Sequence, residues 1–299
     1  MSNARTLVLT SLAMTAFAGN SLLCRLALKQ SGIDPTSFTA IRLISGALVL
    51  WLVTRSSRGT QAGGGNWLSA LALFFYAAGF SFAYVSLPAA TGALLLFGAV
   101  QATMIGYGLW TGERFRRLQL VGLVLAFGGL LGLLLPGLSA PPLAGSLLML
   151  GAGLAWGIYS LRGKGAGNPT RVTAGNFLRA APVAIALSGL MFMLKSTSLD
   201  TAGFWYAVAS GALTSGIGYA IWYTALPALK ATNAATVQLS VPVIAALGGI
   251  VFLGEPITLR LALASAAILG GIALVVLQKR AAGGAPQIAQ DSALKSRRD

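Results

Sequence analysis

Tyr84-Val-Ser-Leu-Pro88, an apolar run, Gly112-Glu113, a second apolar run and Gly128-Gly129 form an ordered series of markers in the first half of the chain. The second half carries the series again: Tyr223-Thr-Ala-Leu-Pro227, Gly254-Glu255 and Gly270-Gly271, with apolar runs between them. Fifteen residues separate the Glu from the first Gly of the pair in both copies. The step from Pro to Glu is 25 residues in one copy and 28 in the other, so one small insertion distinguishes them. No single marker is specific; their order and spacing point to an internal repeat, which decides how the rest is read.

Composition sets the solvent. Of 299 residues, 56% are hydrophobic and only 9% charged, with 38 Gly and a mean hydropathy of +0.78. A soluble domain carries about a quarter charged residues, so this chain cannot cover a water-facing surface and reads as an integral membrane protein. Abundant Gly fits transmembrane helices, where small residues let backbones approach. The net charge of +15 does not gather into a folded basic patch, which speaks against nucleic acid as a partner. The Lys and Arg residues fall in short loops, where they fix topology. Cys24 is the only cysteine and His is absent, so no internal disulfide and no Cys/His metal site is expected. The first apolar stretch continues into a multi-span pattern and reads as a retained helix rather than a cleaved signal.

Apolar runs long enough to span a bilayer number ten: Leu7–Leu28, Ser37–Thr54, Trp67–Leu87, Ala89–Thr111, Leu118–Leu135, Leu143–Leu161, Thr173–Leu194, Gly203–Leu226, Thr232–Leu253 and Leu259–Leu277. Gly, Pro and Asn-Pro breakers fall at the joints, whereas Pro182 and Pro242 fall inside spans and free backbone carbonyls there. One set of alternate loops is basic (Arg55, Arg58, Arg114, Arg116, Arg117, Arg162, Lys164, Arg171, Lys230); the other holds few cations (Lys29, Lys195 and Arg260, with Arg25 near the outer end of the first span). That asymmetry places both termini in the cytoplasm. Five spans per half make the second half inverted relative to the first. The units are residues 1–137, residues 138–280 and a disordered tail over 281–299. Further echoes support the repeat: Phe17-Ala-Gly-Asn-Ser21-Leu22 against Trp156-Gly-Ile-Tyr-Ser160-Leu161, and Phe38-Thr-Ala-Ile-Arg42 against Gly175-Asn-Phe-Leu-Arg179.

Ten spans in two inverted fives, an aromatic-plus-Gly first span and Gly-Glu closing the fourth and ninth spans resemble the drug/metabolite transporter superfamily, in its EamA-type branch. Within it the chain is most similar to the YddG-type amino-acid exporters of bacterial inner membranes. The resemblance implies an all-α basket of ten helices around a central cavity, with the fifth and tenth spans peripheral, and export of amino acids or related metabolites. It also implies cavity aromatics at Phe17, Tyr76, Phe97 and Trp156. Phe97-Gly-Ala-Val-Gln101 stands where the family pattern is richer in Tyr and Trp and ends in Pro, which points to a broader or smaller-substrate pocket.

The residues themselves carry no catalytic set, so no enzyme activity, cofactor or metal is expected. The six carboxylates (Asp34, Glu113, Asp200, Glu255, Asp291, Asp299) sit at span ends, in loops or in the tail. A proton-coupled carrier usually holds an acid at mid-membrane, so a facilitator or exchanger is expected. Arg42 and Arg179 read as the charges inside spans. Topology offers Glu255 to Arg42 at one face and Glu113 to Arg179 at the other, as cross-half latches or gates. Helix capping and direct binding of a substrate carboxylate stay open for both arginines. Substrate contact is expected from Phe17, Asn20 and Ser21 (span 1), Tyr76 and Phe80 (span 3), Phe97 and Gln101 (span 4), Trp156 and Tyr159 (span 6), Tyr219 and Trp222 (span 8), and Gln238 and Ser240 (span 9). Amides and hydroxyls can bind both ends of a zwitterion, and ring faces can take an ammonium. The partners are thus a small-molecule substrate and the lipid bilayer, and nothing in the sequence requires more than a monomer. The rival readings are a carrier of drugs or nucleotide sugars and, further off, a membrane enzyme acting on lipid.

Overall fold

The structure, a computed structural model, describes residues 3–56, 64–112, 117–137, 140–163, 167–229 and 237–283. Among them every regular element is helical. The first half comprises α1 (Asn3–Gln30), α2 (Pro35–Ser56), α3 (Trp67–Tyr84), α4 (Ala89–Trp110) and α5 (Arg117–Leu134). The second begins with α6 (Leu143–Gly163) and α7 (Pro169–Met193). Its eighth span is composite: α8 (Thr201–Ala209), a π-helical segment (Ser210–Ile217), α9 (Gly218–Ala225) and a short 3-10 turn (Leu226–Ala228). Then follow α10 (Ser240–Leu253) and α11 (Leu259–Gly283). Seven of the described helices are long and apolar enough to cross a membrane. The tail expected from residue 281 lies outside the described residues beyond the last turn of α11.

Local sequence sets the helix ends in parallel ways in the two halves. The second and third helices of each half start on an Asp or Asn whose side-chain oxygen takes up otherwise unpaired N–H groups. Asp34 caps α2, accepting from the N–H of Thr36 at 2.8 Å and of Ser37 at 3.0 Å. Asn66 caps α3 through Ser69 N–H (2.9 Å). Asn168 caps α7 through Arg171 N–H (3.2 Å), and Asp200 caps α8 through Gly203 N–H (3.1 Å). Asp34 also exchanges backbone bonds with the α7–α8 connection: its N–H donates to the Ser198 carbonyl, and its Oδ2 accepts the Ser198 N–H, both at 2.9 Å. The two Gly-Glu markers end α4 and α10 for one reason. Gly112 (φ +93°) and Gly254 (φ +63°) adopt the left-handed conformation that stops a helix cheaply only at glycine.

The most extensive helix contacts all join one half to the other: α5 with α11, α3 and α4 with α6, and α2 with α7 and the π segment. The pairing of α5 with α11 explains the second Gly of each double-Gly marker, Gly129 and Gly271, whereas Gly128 and Gly270 have open space where a Cβ would be. A Cβ on Gly122 would lie 2.5 Å from the Gly271 carbonyl oxygen, one on Gly271 would lie 2.4 Å from that of Gly122, and one on Gly129 would lie 2.8 Å from the Ala267 Cβ. Only residues without side chains let these backbones meet. Large apolar side chains such as Val124, Phe192 and Phe252 point outward, each 72% exposed, a surface suited to hydrocarbon. Trp67, Trp110 and Trp205 are exposed near helix ends, where indoles favour the membrane interface.

Pro182 lies inside α7 as expected. Pro242 is instead in the first turn of α10, just past a break at Leu239, so it costs no interior helix bond. The third span ends at Tyr84 rather than Leu87.

Candidate functional site

A cavity of about 390 Å³ lies among α1, α3, α4, α6, α7 and the eighth span. Twelve of the thirteen side chains expected to contact substrate line it: Phe17, Asn20 and Ser21 from α1; Tyr76 and Phe80 from α3; Phe97 and Gln101 from α4; Trp156 and Tyr159 from α6; Tyr219 and Trp222 from α9; and Gln238 just before α10. Ser240 does not line it. It follows Gln238 by two, so the two cannot share a helix face, and its hydroxyl donates to the Val237 carbonyl at 2.7 Å.

Aromatic rings make most of the wall. Trp156 is the hub, with ring centres of Tyr76 at 4.7 Å, Tyr159 at 5.2 Å and Tyr219 at 5.2 Å. Phe17 meets Tyr219 edge-on at 5.6 Å and Trp222 at 6.0 Å. Edge-to-face and offset contacts of this kind add stability beyond burial and hold the ring faces in place.

A polar network stitches the wall together. Asn20 Oδ1 accepts from the hydroxyls of Ser210 (2.7 Å) and Thr214 (3.3 Å), and its Nδ2 donates to the Tyr76 oxygen at 3.4 Å. The π segment makes this reach feasible. Its wider turn, a device common at functional sites, brings Ser210, Thr214 and Ser215 inward together. Asn176 Nδ2 donates to the Tyr159 oxygen at 3.4 Å, and Asn176 Oδ1 accepts the Asn66 N–H at 2.9 Å. Thr173, Asn176, Thr214 and Ser215 also line the cavity. None was singled out from sequence, although Asn176 stands inside the quoted Gly175–Arg179 echo.

One end of the cavity reaches Gly163, Pro169, Leu226 and Leu229, the terminal residues of α6, the start of α7 and the end of the eighth span. The other end is sealed. Phe80, Tyr84 and Leu87 are buried there, beside the ion pair Arg25 Nε–Glu255 Oε1 at 2.9 Å. Arg25 Nη1 donates to the carbonyls of Tyr84 (2.9 Å) and Val85 (3.1 Å), and Glu255 Oε2 accepts the Ala89 N–H at 2.7 Å.

This corrects the expected pairing of Arg42 with Glu255. Arg25 is inside α1, which runs five residues past it, and takes the carboxylate. Arg42 turns instead to the Tyr76 oxygen (Nη2, 3.0 Å) and Ser215 Oγ (Nε, 3.3 Å). Arg179 donates to the carbonyls of Gly64 and Gly175. Its expected partner Glu113 lies outside the described residues.

Seven described helices long and apolar enough to cross a membrane, several of them lining an aromatic and amide-rich cavity, are the architecture of a multi-pass membrane protein. The chain belongs to the EamA-like transporter family, whose profile matches residues 4–135 and 143–277. It is 59% identical over 278 residues to an uncharacterized protein of Pseudomonas aeruginosa, covering 92% of this chain and 96% of that one. It is 35% identical over 150 residues to the threonine/homoserine exporter RhtA of Escherichia coli K12, a match covering 48% of this chain and 49% of the exporter. An uncharacterized transporter of Archaeoglobus fulgidus is 25% identical over 85% of this chain and 91% of its own. A crystal structure 21% identical in sequence superposes with a TM-score of 0.63, covering 93% of this chain and 99% of that one. That likeness is one of fold.

Proposed function

We propose that the protein exports amino acids or closely related small metabolites across a bacterial inner membrane, by alternating access around the aromatic cavity. The observation that carries this reading is the chemistry of the wall. Among the described lining residues rings and amides dominate, and no acidic side chain appears. A volume of about 390 Å³ is at the small end of ligand pockets, a size suited to an amino acid rather than a nucleotide sugar. The export assigned by name to RhtA, a relative over half the chain, points the same way.

Orientation follows from charge. Arg55 closes α2 and Arg162 falls in the last turn of α6, at the end where the cavity reaches Gly163. If cations mark the cytoplasmic side, both termini are cytoplasmic and the cavity faces inward. The Arg25–Glu255 pair is then the outer lock. It ties α1, the α3–α4 joint and the α10–α11 joint, which come from both halves. Opening outward requires separating them, with the two five-helix units (1–137 and 138–280) moving as inverted partners. No mid-membrane acid is invoked, so the substrate gradient itself drives exchange.

Counterflow in proteoliposomes tests the proposal. Vesicles preloaded with an unlabelled amino acid should accumulate the labelled form transiently for at least one member of a neutral panel. Trp156→Ala should abolish the overshoot. A panel in which none accumulates would shift the cargo to another class.

A further inference from the structure

The geometry points to the sealed end of the cavity as an anion site: Arg42, acting with Tyr76, takes a carboxylate on the cargo. The inference rests on the transport reading and specifies which end of the substrate binds where.

Arg42 is 1% exposed, deep in α2. Its guanidinium lies against two rings, with Cζ 4.9 Å from the centre of Phe80 and 5.2 Å from that of Tyr76. Nη2 and Nε are used on Tyr76 and Ser215, but Nη1 is buried with no hydrogen-bond partner. No described carboxylate neutralises it. Glu255 is held by Arg25, Asp34 caps α2 and Asp200 caps α8. A buried cation without a counter-ion is costly, and ring faces recover only part of that cost. The charge is left short of one anion.

Arg42 itself lies behind the cavity wall, one layer of side chains from the open volume. Tyr76, Phe80 and Ser215, the side chains in contact with the guanidinium, all stand in the cavity wall. The Tyr76 oxygen already accepts from Arg42 Nη2 and Asn20 Nδ2. With both acceptor positions used, its own proton is available to a cargo oxygen, and the adjacent cation strengthens that donor. A carboxylate seated at Tyr76 would supply the missing counter-charge. The ammonium of a zwitterion would then fall among the faces of Trp156 and Tyr219, which stand 4.7 Å and 5.2 Å along the ring chain. Purely cationic cargo would meet Arg42 with nothing to offset the repulsion.

The test takes the neutral amino acid that exchanges best in counterflow and competes it with the unlabelled acid and with its α-carboxamide. Wild type should prefer the acid by about tenfold or more, the scale of one hydrogen bond to a charged group. Tyr76→Phe, which keeps the ring, and Arg42→Gln should lower exchange of the acid by a similar factor and bring acid and amide within about threefold. Arg42→Lys should retain part of the preference. Should Arg42→Gln fail to accumulate in the membrane, Tyr76→Phe alone decides the matter. Equal competition by acid and amide in wild type, or equal loss of both in Tyr76→Phe, would overturn the assignment. Failure of every amino acid to exchange in wild type would instead count against the transport reading beneath it.

Discussion

Glu255 divides its carboxylate between two tasks. Oε1 meets Arg25, and Oε2 meets the Ala89 N–H at the start of α4, where the helix dipole also favours a negative charge. Both partners are buried, so removing one strands the other. Glu255→Gln is expected to cost about 3–5 kcal/mol, read as a lower unfolding temperature in detergent by tryptophan fluorescence. The double variant Arg25→Met/Glu255→Leu should recover most of that stability, because it removes both charges together. Asp34 makes a second prediction. Partial desolvation raises its pKa, but hydrogen bonds from Ser37, Thr36 and Ser198 outweigh it and hold the carboxyl below its usual range. The unfolded chain therefore binds the proton more readily. The stabilising contribution is full above the unfolded value of about 3.9 and is lost as pH falls through the lower folded value. Acid unfolding should begin in that window, and Asp34→Asn should flatten the dependence there.

Among the elements, the eighth span departs furthest from a regular rod. Gly211 in its π segment lets α2 approach so closely that an added Cβ would lie 2.1 Å from the Arg42 carbonyl oxygen. Gly211→Ala should destabilise by about 1–3 kcal/mol through overpacking. Gly128→Ala, whose Cβ would meet nothing within 4 Å, should be neutral or gain up to about 1 kcal/mol from helix propensity. Thermal unfolding of the two variants side by side checks the contrast. The helices could be read from apolar run length and breakers because hydrocarbon imposes both. The π segment could not: Ser210–Ile217 has the small, apolar composition of its neighbours, and the extra residue per turn leaves no pattern in the residue types. The lining of the cavity was legible where a polar or aromatic side chain sits mid-span, as at Asn20, Gln101 and Trp156. It was not legible where helix rotation decides, as between Gln238 and Ser240. The partner of Glu255, Arg25 rather than Arg42, is not legible for a similar reason. Span order places Arg25 and Arg42 towards the same end of neighbouring helices but does not say which of the two side chains meets the carboxylate.

For the molecule as a whole, the halves are interleaved rather than side by side, since the largest helix contacts all cross between them. On the alternating-access reading proposed above, a chamber lined by both halves and closed at one end by a pair shared between them opens by relative motion of the two. Breaking the lock should therefore expose the chamber to the opposite side without dismantling it. Ser160, on the cavity wall, offers a reporter position. In a Cys24→Ala background, Ser160→Cys can be treated with an impermeant maleimide added to one side of sealed, oriented vesicles. The account predicts rapid labelling from the side bearing Arg55 and Arg162, little from the other, and new labelling from that other side when Glu255→Gln is added. Labelling from neither side, or from the Arg25–Glu255 side in the unbroken protein, would contradict it.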